Sequence, residues 1–260
     1  MSQTTKKSLG QHWLHDESVL RQIIDAADVQ SGDVVMEIGP GLGTLTEKLL
    51  ECDANVLAIE FDTELLPQLR KKFKDNTNFT LEQADILKYD FSLLPDNYKV
   101  VANIPYYMTS NLLRLLTEAP NHFSIAALLV QKEVAERVCA GPGSMSLLSV
   151  SVQLYADVSL GNVVPAKLFT PPPKVDSQVL LLKHLGQPRF DVDTKLFFRL
   201  VKAGFSERRK KLRSSLSGGL HMSKPEAEAL LQEAKIDPNL RPQALELSDW
   251  YSLYKAFVKA

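Results

Sequence analysis

The sequence predicts an α/β fold built on a parallel sheet, followed by a smaller all-α domain. Three observations predict it. Apolar runs of strand length alternate with helical patterns through the first two thirds of the 260 residues, the order expected when helices cover the faces of a parallel sheet. The strand-like runs stop after His184-Leu185-Gly186-Gln187-Pro188, and only helical patterns follow. Hydrophobic residues make up 45% of the chain, enough at this length to bury a large core. Domains are therefore expected at 1–185 and 186–260.

The elements follow from local pattern. Asp16 is a helix-capping residue for 17–28, where Val19, Leu20, Ile23, Ile24 and Ala27 recur at helical spacing. Asp33-Val34-Val35-Met36-Glu37-Ile38 reads as a strand, Leu42 to Leu50 as a helix, Asn55 to Ile59 as a strand and Thr63 to Phe73 as a helix. Strands near 78–82 and 98–102, a helix over 109–118, a strand over 124–130 and a helix over 132–139 continue the alternation. A helix over 146–154 and strands near 157–163 and 178–183 close the region. The tail carries helical patterns near 192–204, 206–217, 224–234 and 248–258, interrupted by Gly218-Gly219 and Pro238.

Composition excludes several classes. The residues from Met1 to Lys7 lack an apolar core of signal-peptide length, and no run approaches the roughly 18 apolar residues of a membrane span, so a cytoplasmic protein without a membrane partner is expected. Cys52 and Cys139 stand far apart, which suggests neither a disulfide framework nor a zinc site. The net charge of −1 argues against a protein that coats nucleic acid over its whole surface. The charge is unevenly placed, however. From Lys195 to Arg213 there are eight Lys or Arg (195, 199, 202, 208, 209, 210, 211 and 213) against the single acid Glu207, a local +7 that leaves −8 for the remainder.

Glu37-Ile38-Gly39-Pro40-Gly41-Leu42-Gly43 ends a strand and opens a helix, so its backbone amides can approach a ligand closely. The spacing is Gly-x-Gly-x-Gly with Thr44 where a dinucleotide fingerprint asks for glycine or alanine, which points away from pyrophosphate. Glu60 ends the next strand, where a carboxylate can accept both hydroxyls of a ribose, and Asp85 ends the third, suited to an adenine amine. A tight turn and two solvated acids would explain each feature singly. Three successive strand ends carrying loop, acid and acid favour a nucleotide-type ligand.

The fourth strand ends in Asn103-Ile104-Pro105-Tyr106. This combination suits a flat base with an exocyclic amine, whose lone pair is delocalised into the ring and therefore weakly nucleophilic. The Asn103 side-chain oxygen and the Ile104 carbonyl can bind the two amine hydrogens and turn the lone pair toward a methyl donor. Pro105 fixes the backbone and Tyr106 offers a stacking face. Alignment then supplies most of the catalysis, and no general base is required. Taken alone, the motif also fits a strand-ending turn with a core tyrosine.

These features, in this order, resemble the rRNA adenine N(6),N(6)-dimethyltransferases, specifically the branch acting on small-subunit rRNA. The resemblance runs over nearly the whole chain: Gly10-Gln11-His12-Trp13-Leu14, Glu37 to Gly43, Glu60, Asp85, Asn103 to Tyr106, Gln131 to Ala135, Phe169 to Ser177, Phe205 to Arg213, and Arg241-Pro242. It implies a Rossmann-like S-adenosylmethionine-dependent methyltransferase domain with a mostly parallel seven-stranded sheet. The implied reaction puts two methyls on each of two adjacent adenosines in a 3′-terminal hairpin of small-subunit rRNA, within a pre-small-subunit particle, with no metal. By the same resemblance the cofactor-binding residues are His12, Leu14, Gly39, Gly41, Glu60, Asp85 and Asn103, with Asn103, Ile104, Pro105, Tyr106 and Phe169 around the target base. Phe169 resembles the aromatic that covers the base on the face opposite Tyr106, although both aromatics could equally be core residues, Phe169 more readily than Tyr106.

One departure stands out. The family usually shows Gln-Asn-Phe-Leu where this chain has Gln11-His12-Trp13-Leu14, placing an imidazole where an amide is expected against the cofactor. His12 and His15 do not make a metal pair, because no third ligand is evident. Arg208, Arg209, Lys210, Lys211 and Arg213 crowd together and are expected to neutralise RNA phosphates, with Lys6 and Lys7 adding to them. A monomer is the default expectation. Two alternatives stay open: a large-subunit rRNA methylase conferring antibiotic resistance, and a ribosome-assembly factor whose catalysis is secondary.

Overall fold

The computed structural model describes residues 10–259. Contacts divide the described residues into two compact units, one of residues 10–135 and 157–186, the other of residues 136–156 and 187–259. The segment 136–156 thus groups with the C-terminal helices, where the sequence reading had placed it in the first domain. Its helix carries the same apolar pattern as the helices between strands, so local sequence holds no signal for the regrouping.

In the first unit β1 (Trp13–Leu14) precedes α1 (Glu17–Ala26), which Asp16 caps by accepting the Val19 amide at 3.1 Å and which buries Val19, Leu20, Ile23 and Ile24. Then come β2 (Val34–Ile38), α2 (Thr44–Glu51), β3 (Asn55–Glu60), α3 (Leu66–Lys72), β4 (Phe79–Gln83), β5 (Lys99–Asn103), α4 (Thr109–Thr117) and β6 (Ile125–Gln131). Helix α2 starts two residues later than its apolar pattern because Gly43 sits at φ +73°, a left-handed conformation, where a Cβ would come within 2.7 Å of the Phe73 ring.

The strands form one seven-stranded sheet in the order β4-β3-β2-β5-β6-β9-β7, with β7 (Ala156–Val164) and β9 (Ser177–His184) at the far edge. Strands β2 to β6 pair in parallel and β9 runs antiparallel to β6. The fold class is therefore the α/β class that the alternation predicted, with the mostly parallel seven-stranded sheet that the resemblance implied. The order reverses between β2 and β5, which places the ends of those two strands at the switch point, where open α/β sheets bind ligands. A second ribbon, absent from the sequence reading, pairs β1 antiparallel with β8 (Phe169–Thr170), Trp13 opposite Thr170 and Leu14 opposite Phe169.

The second unit contains α6 (Leu147–Gln153), which follows α5 (Lys132–Val138), and then α7 (Thr194–Phe205), α8 (Leu212–Leu220), α9 (Lys224–Glu233) and α10 (Leu247–Lys259). Its core gathers Phe197, Leu200, Leu216, Leu231, Trp250 and Leu253. The expected helix over 206–217 begins only at Leu212. Residues 206–209 form turns, Lys210 a bend, and Lys211, in extended conformation, precedes the helix. Among the described residues no helix is long and apolar enough to cross a membrane.

Candidate active site

The parallel register carries four sequence-predicted features to one edge of the first unit. Gly39 and Gly41 follow β2, Glu60 ends β3, Asp85 follows β4 and Asn103 ends β5, and all five line a single cleft. Ile38, Ile59 and Ile86 supply apolar walls.

Glu60 is only 6% exposed, and its two oxygens accept the amides of Gly41, at 3.3 Å, and of Asp62, at 2.7 Å. Burial holds its carboxyl above the usual range, while those backbone donors pull the other way. Each oxygen retains a lone pair for a ligand hydroxyl. Glu37, beneath the loop, is 1% exposed, and burial pushes it up to about 8, with the Glu60 charge adding to the shift; Thr46 Oγ1 donates to it at 2.6 Å. Asp85 caps a short turn by accepting the Leu87 amide at 3.1 Å, and its other oxygen is 3.7 Å from Lys88 Nζ.

Asn103 Nδ2 donates to the main-chain carbonyl of His12 at 3.0 Å, a bond that fixes the amide and does not use its oxygen. Ile104 is buried, its amide bonded to the Leu129 carbonyl at 3.1 Å, and Pro105 continues the chain without a donor. Tyr106 is half-buried, its hydroxyl 2.8 Å from Ser177 Oγ, and burial raises its pKa. The ring is stacked near that of His12, with centroids 5.9 Å apart and 24° between planes.

The segment before α1 closes over this edge. His12 Nδ1 lies 2.7 Å from the Pro171 carbonyl, Gln11 Nε2 donates to Asp62 at 3.0 Å, and Thr44 Oγ1 donates to the Leu14 carbonyl at 3.0 Å. Gly10, His12 and Trp13 line the cleft. A Cβ on Gly41 would stand 3.4 Å from the Trp13 ring, so the glycine lets the indole lie close to the loop. Leu14 instead points into the core, and so does Phe169, 3% exposed, with neither among the cleft-lining residues. Phe169 here takes the core position that the sequence also allowed: alternation in the two-residue β8 sends Phe169 inward and Thr170 outward.

Sequence reasoning missed two aromatics. Phe61 is 55% exposed and Tyr107 66% exposed, and both line the cleft. Each directly follows a residue that was identified, Glu60 or Tyr106, but an aromatic beside a strand end has no periodic signature. Among the described residues no group of three or more His, Cys, Asp or Glu is placed to hold a metal ion.

The profile of the ribosomal RNA adenine dimethylase family matches residues 2–259. The chain belongs to this family. As a dimethylase-family member it is 43% identical over 255 residues to a protein named ribosomal RNA small subunit methyltransferase A from Dehalococcoides mccartyi, covering 95% of this chain and 87% of the relative. A crystal structure of a dimethyladenosine transferase from Plasmodium falciparum matches with a TM-score of 0.81 at 28% identity, over 95% of this chain and 98% of that one. The structure of the 23S rRNA methyltransferase ErmE matches with a TM-score of 0.75 at 26% identity, over 94% and 98% of the two chains.

The basic cluster of this dimethylase-family chain lies in the second unit. Arg208 and Arg209 are exposed and have no acidic partner among the described residues. Lys210 pairs with Glu207 at 2.9 Å, Lys211 donates to Asn239 Oδ1 at 2.8 Å, and Arg213 forms an ion pair with Glu228. Lys6 and Lys7 lie outside the described residues.

Proposed function

We propose that this chain transfers methyl groups from S-adenosylmethionine to the exocyclic amines of two adjacent adenosines in a 3′-terminal hairpin of small-subunit rRNA, giving dimethyladenosines. The observation that carries the reading is the position of Asn103: its amide is fixed at the switch point, in the same cleft as the glycine loop and Glu60. The 43% identity to small-subunit methyltransferase A proteins supports the choice of rRNA.

The residues fit the cofactor. Glu60, already oriented by two backbone amides, accepts the ribose hydroxyls, Asp85 accepts from the adenine amine, and the loop at Gly39 and Gly41 lets main chain approach without side chains. His12 contributes through its main chain, which positions Asn103. When bound, S-adenosylmethionine supplies an electrophilic methyl on a sulfonium centre. Asn103 Oδ1 and the Ile104 carbonyl accept the two amine hydrogens and bring the nitrogen lone pair out of conjugation. Tyr106, anchored by Ser177, holds the base by stacking. With the cofactor held there, the amine nitrogen would take the methyl in line as its carbon–sulfur bond breaks and the neutral thioether leaves, and the resulting ammonium would be acidic enough to release its proton to water.

The reading includes a pre-small-subunit particle as substrate, a monomeric enzyme and a cytoplasmic location. It is tested by methyl transfer from labelled S-adenosylmethionine to small subunits lacking dimethyladenosine, beside large-subunit rRNA, with nucleoside mass spectrometry and site mapping. Dimethyladenosine at adjacent small-subunit adenosines is the expected result. The likeness to ErmE motivates the second arm: label confined to large-subunit rRNA would replace this reading with that one. Tight subunit binding without label would make the chain an assembly factor.

A further inference from the structure

Helix α7 turns a charged stripe outward. Lys195, Arg199 and Lys202 stand at i, i+4 and i+7, so all three share one face, and all three are exposed. The opposite face buries Phe197, Leu200, Val201 and Gly204 in the core of the second unit. None of the three cations has an acidic partner among the described residues, whereas Lys210 and Arg213 do. The stripe borders a shallow groove with Ala203 and Gly219 at its base. There α8 comes directly against α7: a Cβ on Gly219 would lie 2.6 Å from the Ala203 Cα, so glycine keeps the base of the groove bare.

We propose that this groove binds the phosphate backbone of an RNA helix, as an anchor separate from the turn at 208–211. The choice of RNA among polyanions rests on the reading of the chain as an rRNA methyltransferase. From Lys195 to Lys202 the helix rises about 10 Å, and over that length one nucleic-acid strand presents about three charges. Three uncompensated cations therefore match two or three successive phosphates. An A-form RNA helix holds its major-groove base edges in a deep, narrow groove that side chains do not read, so cations beside a shallow protein groove meet phosphates and the contact is independent of sequence. A membrane surface fits less well, because Leu196 is the only large apolar side chain that α7 exposes. The rest of the chain carries −8, which repels a polyanion and concentrates its binding on this segment.

The test is fluorescence anisotropy of the full chain with a 20-base-pair RNA duplex of arbitrary sequence, titrated across salt. The Lys195→Ala, Arg199→Ala, Lys202→Ala triple variant is compared with wild type and with Arg70→Ala, Lys71→Ala, Lys74→Ala, which removes the same charge from exposed positions of the first unit. The stripe variant is expected to bind at least about tenfold more weakly at low salt and to lower the salt slope by about 2, since each phosphate contact contributes about 0.7 to 0.9. The control variant should keep the wild-type slope. An unchanged slope in the stripe variant, an equal fall in the control, or absence of duplex binding by wild type would each overturn the proposal. Loss of anionic-vesicle binding in the stripe variant with duplex binding intact would overturn it in favour of a lipid surface. Methyl transfer is scored separately, so a chain that fails to methylate small subunits yet shows the slope change refutes the reaction and keeps the groove.

Discussion

Replacing Glu37 by glutamine should stabilise the protein at alkaline pH. The carboxyl is 1% exposed, and burial moves it from an ordinary 4.5 to about 8, opposed by the Thr46 hydroxyl and the Lys72 charge and reinforced by Glu60. Between those two values the folded chain holds a proton that the unfolded chain has released, so stability declines as pH rises through the window. The contribution is complete below pH 4.5 and lost once pH passes about 8. Each pH unit inside the window is worth about 1.4 kcal/mol, so moving from pH 6 to pH 8 costs wild type about 2 kcal/mol. Glutamine keeps the acceptor for Thr46 and has nothing to titrate. Groups that do not interact with Glu37 contribute equally to both proteins at the same pH and cancel; Glu60, whose charge acts on Glu37, is the exception. Scanning calorimetry should therefore show the Glu37→Gln protein gaining about 4 to 8 °C in Tm relative to wild type over that interval, at about 2 to 4 °C per kcal/mol for a chain of this size. Parallel pH profiles would refute the argument, because they would mean that Glu37 is ionised throughout and that its burial is compensated by donors other than Thr46.

Three further outcomes follow from the cleft. Asn103→Ala should abolish methyl transfer, while calorimetric titration with S-adenosylhomocysteine still detects binding; unchanged turnover would remove Asn103 from the amine-holding role. Tyr106→Ala should lose about 5- to 150-fold in turnover, the equivalent of 1–3 kcal/mol of base stacking, whereas Tyr106→Phe gives up only the hydrogen bond to Ser177, about 1 kcal/mol. Equal losses would assign the work to the hydroxyl. Glu60→Gln turns one acceptor into a donor facing a backbone amide, and should weaken S-adenosylhomocysteine binding at least about tenfold, as expected for a charge-assisted hydrogen bond of 1.5–3 kcal/mol; undiminished affinity would place the ribose elsewhere.

What the sequence made legible is what a parallel sheet transmits. Gly39, Gly41, Glu60, Asp85 and Asn103 each follow an apolar run, and pairing in parallel brings the ends of those runs to one edge whatever the intervening helices do. The position of such a residue after its strand is thus nearly a coordinate. Residues that reach the cleft from outside the sheet have no such index. The ribbon of Trp13–Leu14 with Phe169–Thr170 is too short to show an alternation, so neither the inward turn of Phe169 nor the approach of Trp13 to Gly41 could be read.

His12 shows the same limit in its chemistry. Its departure from the family's asparagine drew notice as a side-chain change against the cofactor, yet the atom that fixes Asn103 is the His12 main-chain carbonyl, which any residue supplies. The imidazole lies beside the Tyr106 ring and bonds to the Pro171 carbonyl, joining the segment before α1 to the loop after β8. Substitution at this position therefore bears on how those two segments are held together, and the orientation of the Asn103 amide depends on the backbone being held there. A side-chain motif could flag the position, but only the fold could say which of its atoms matters.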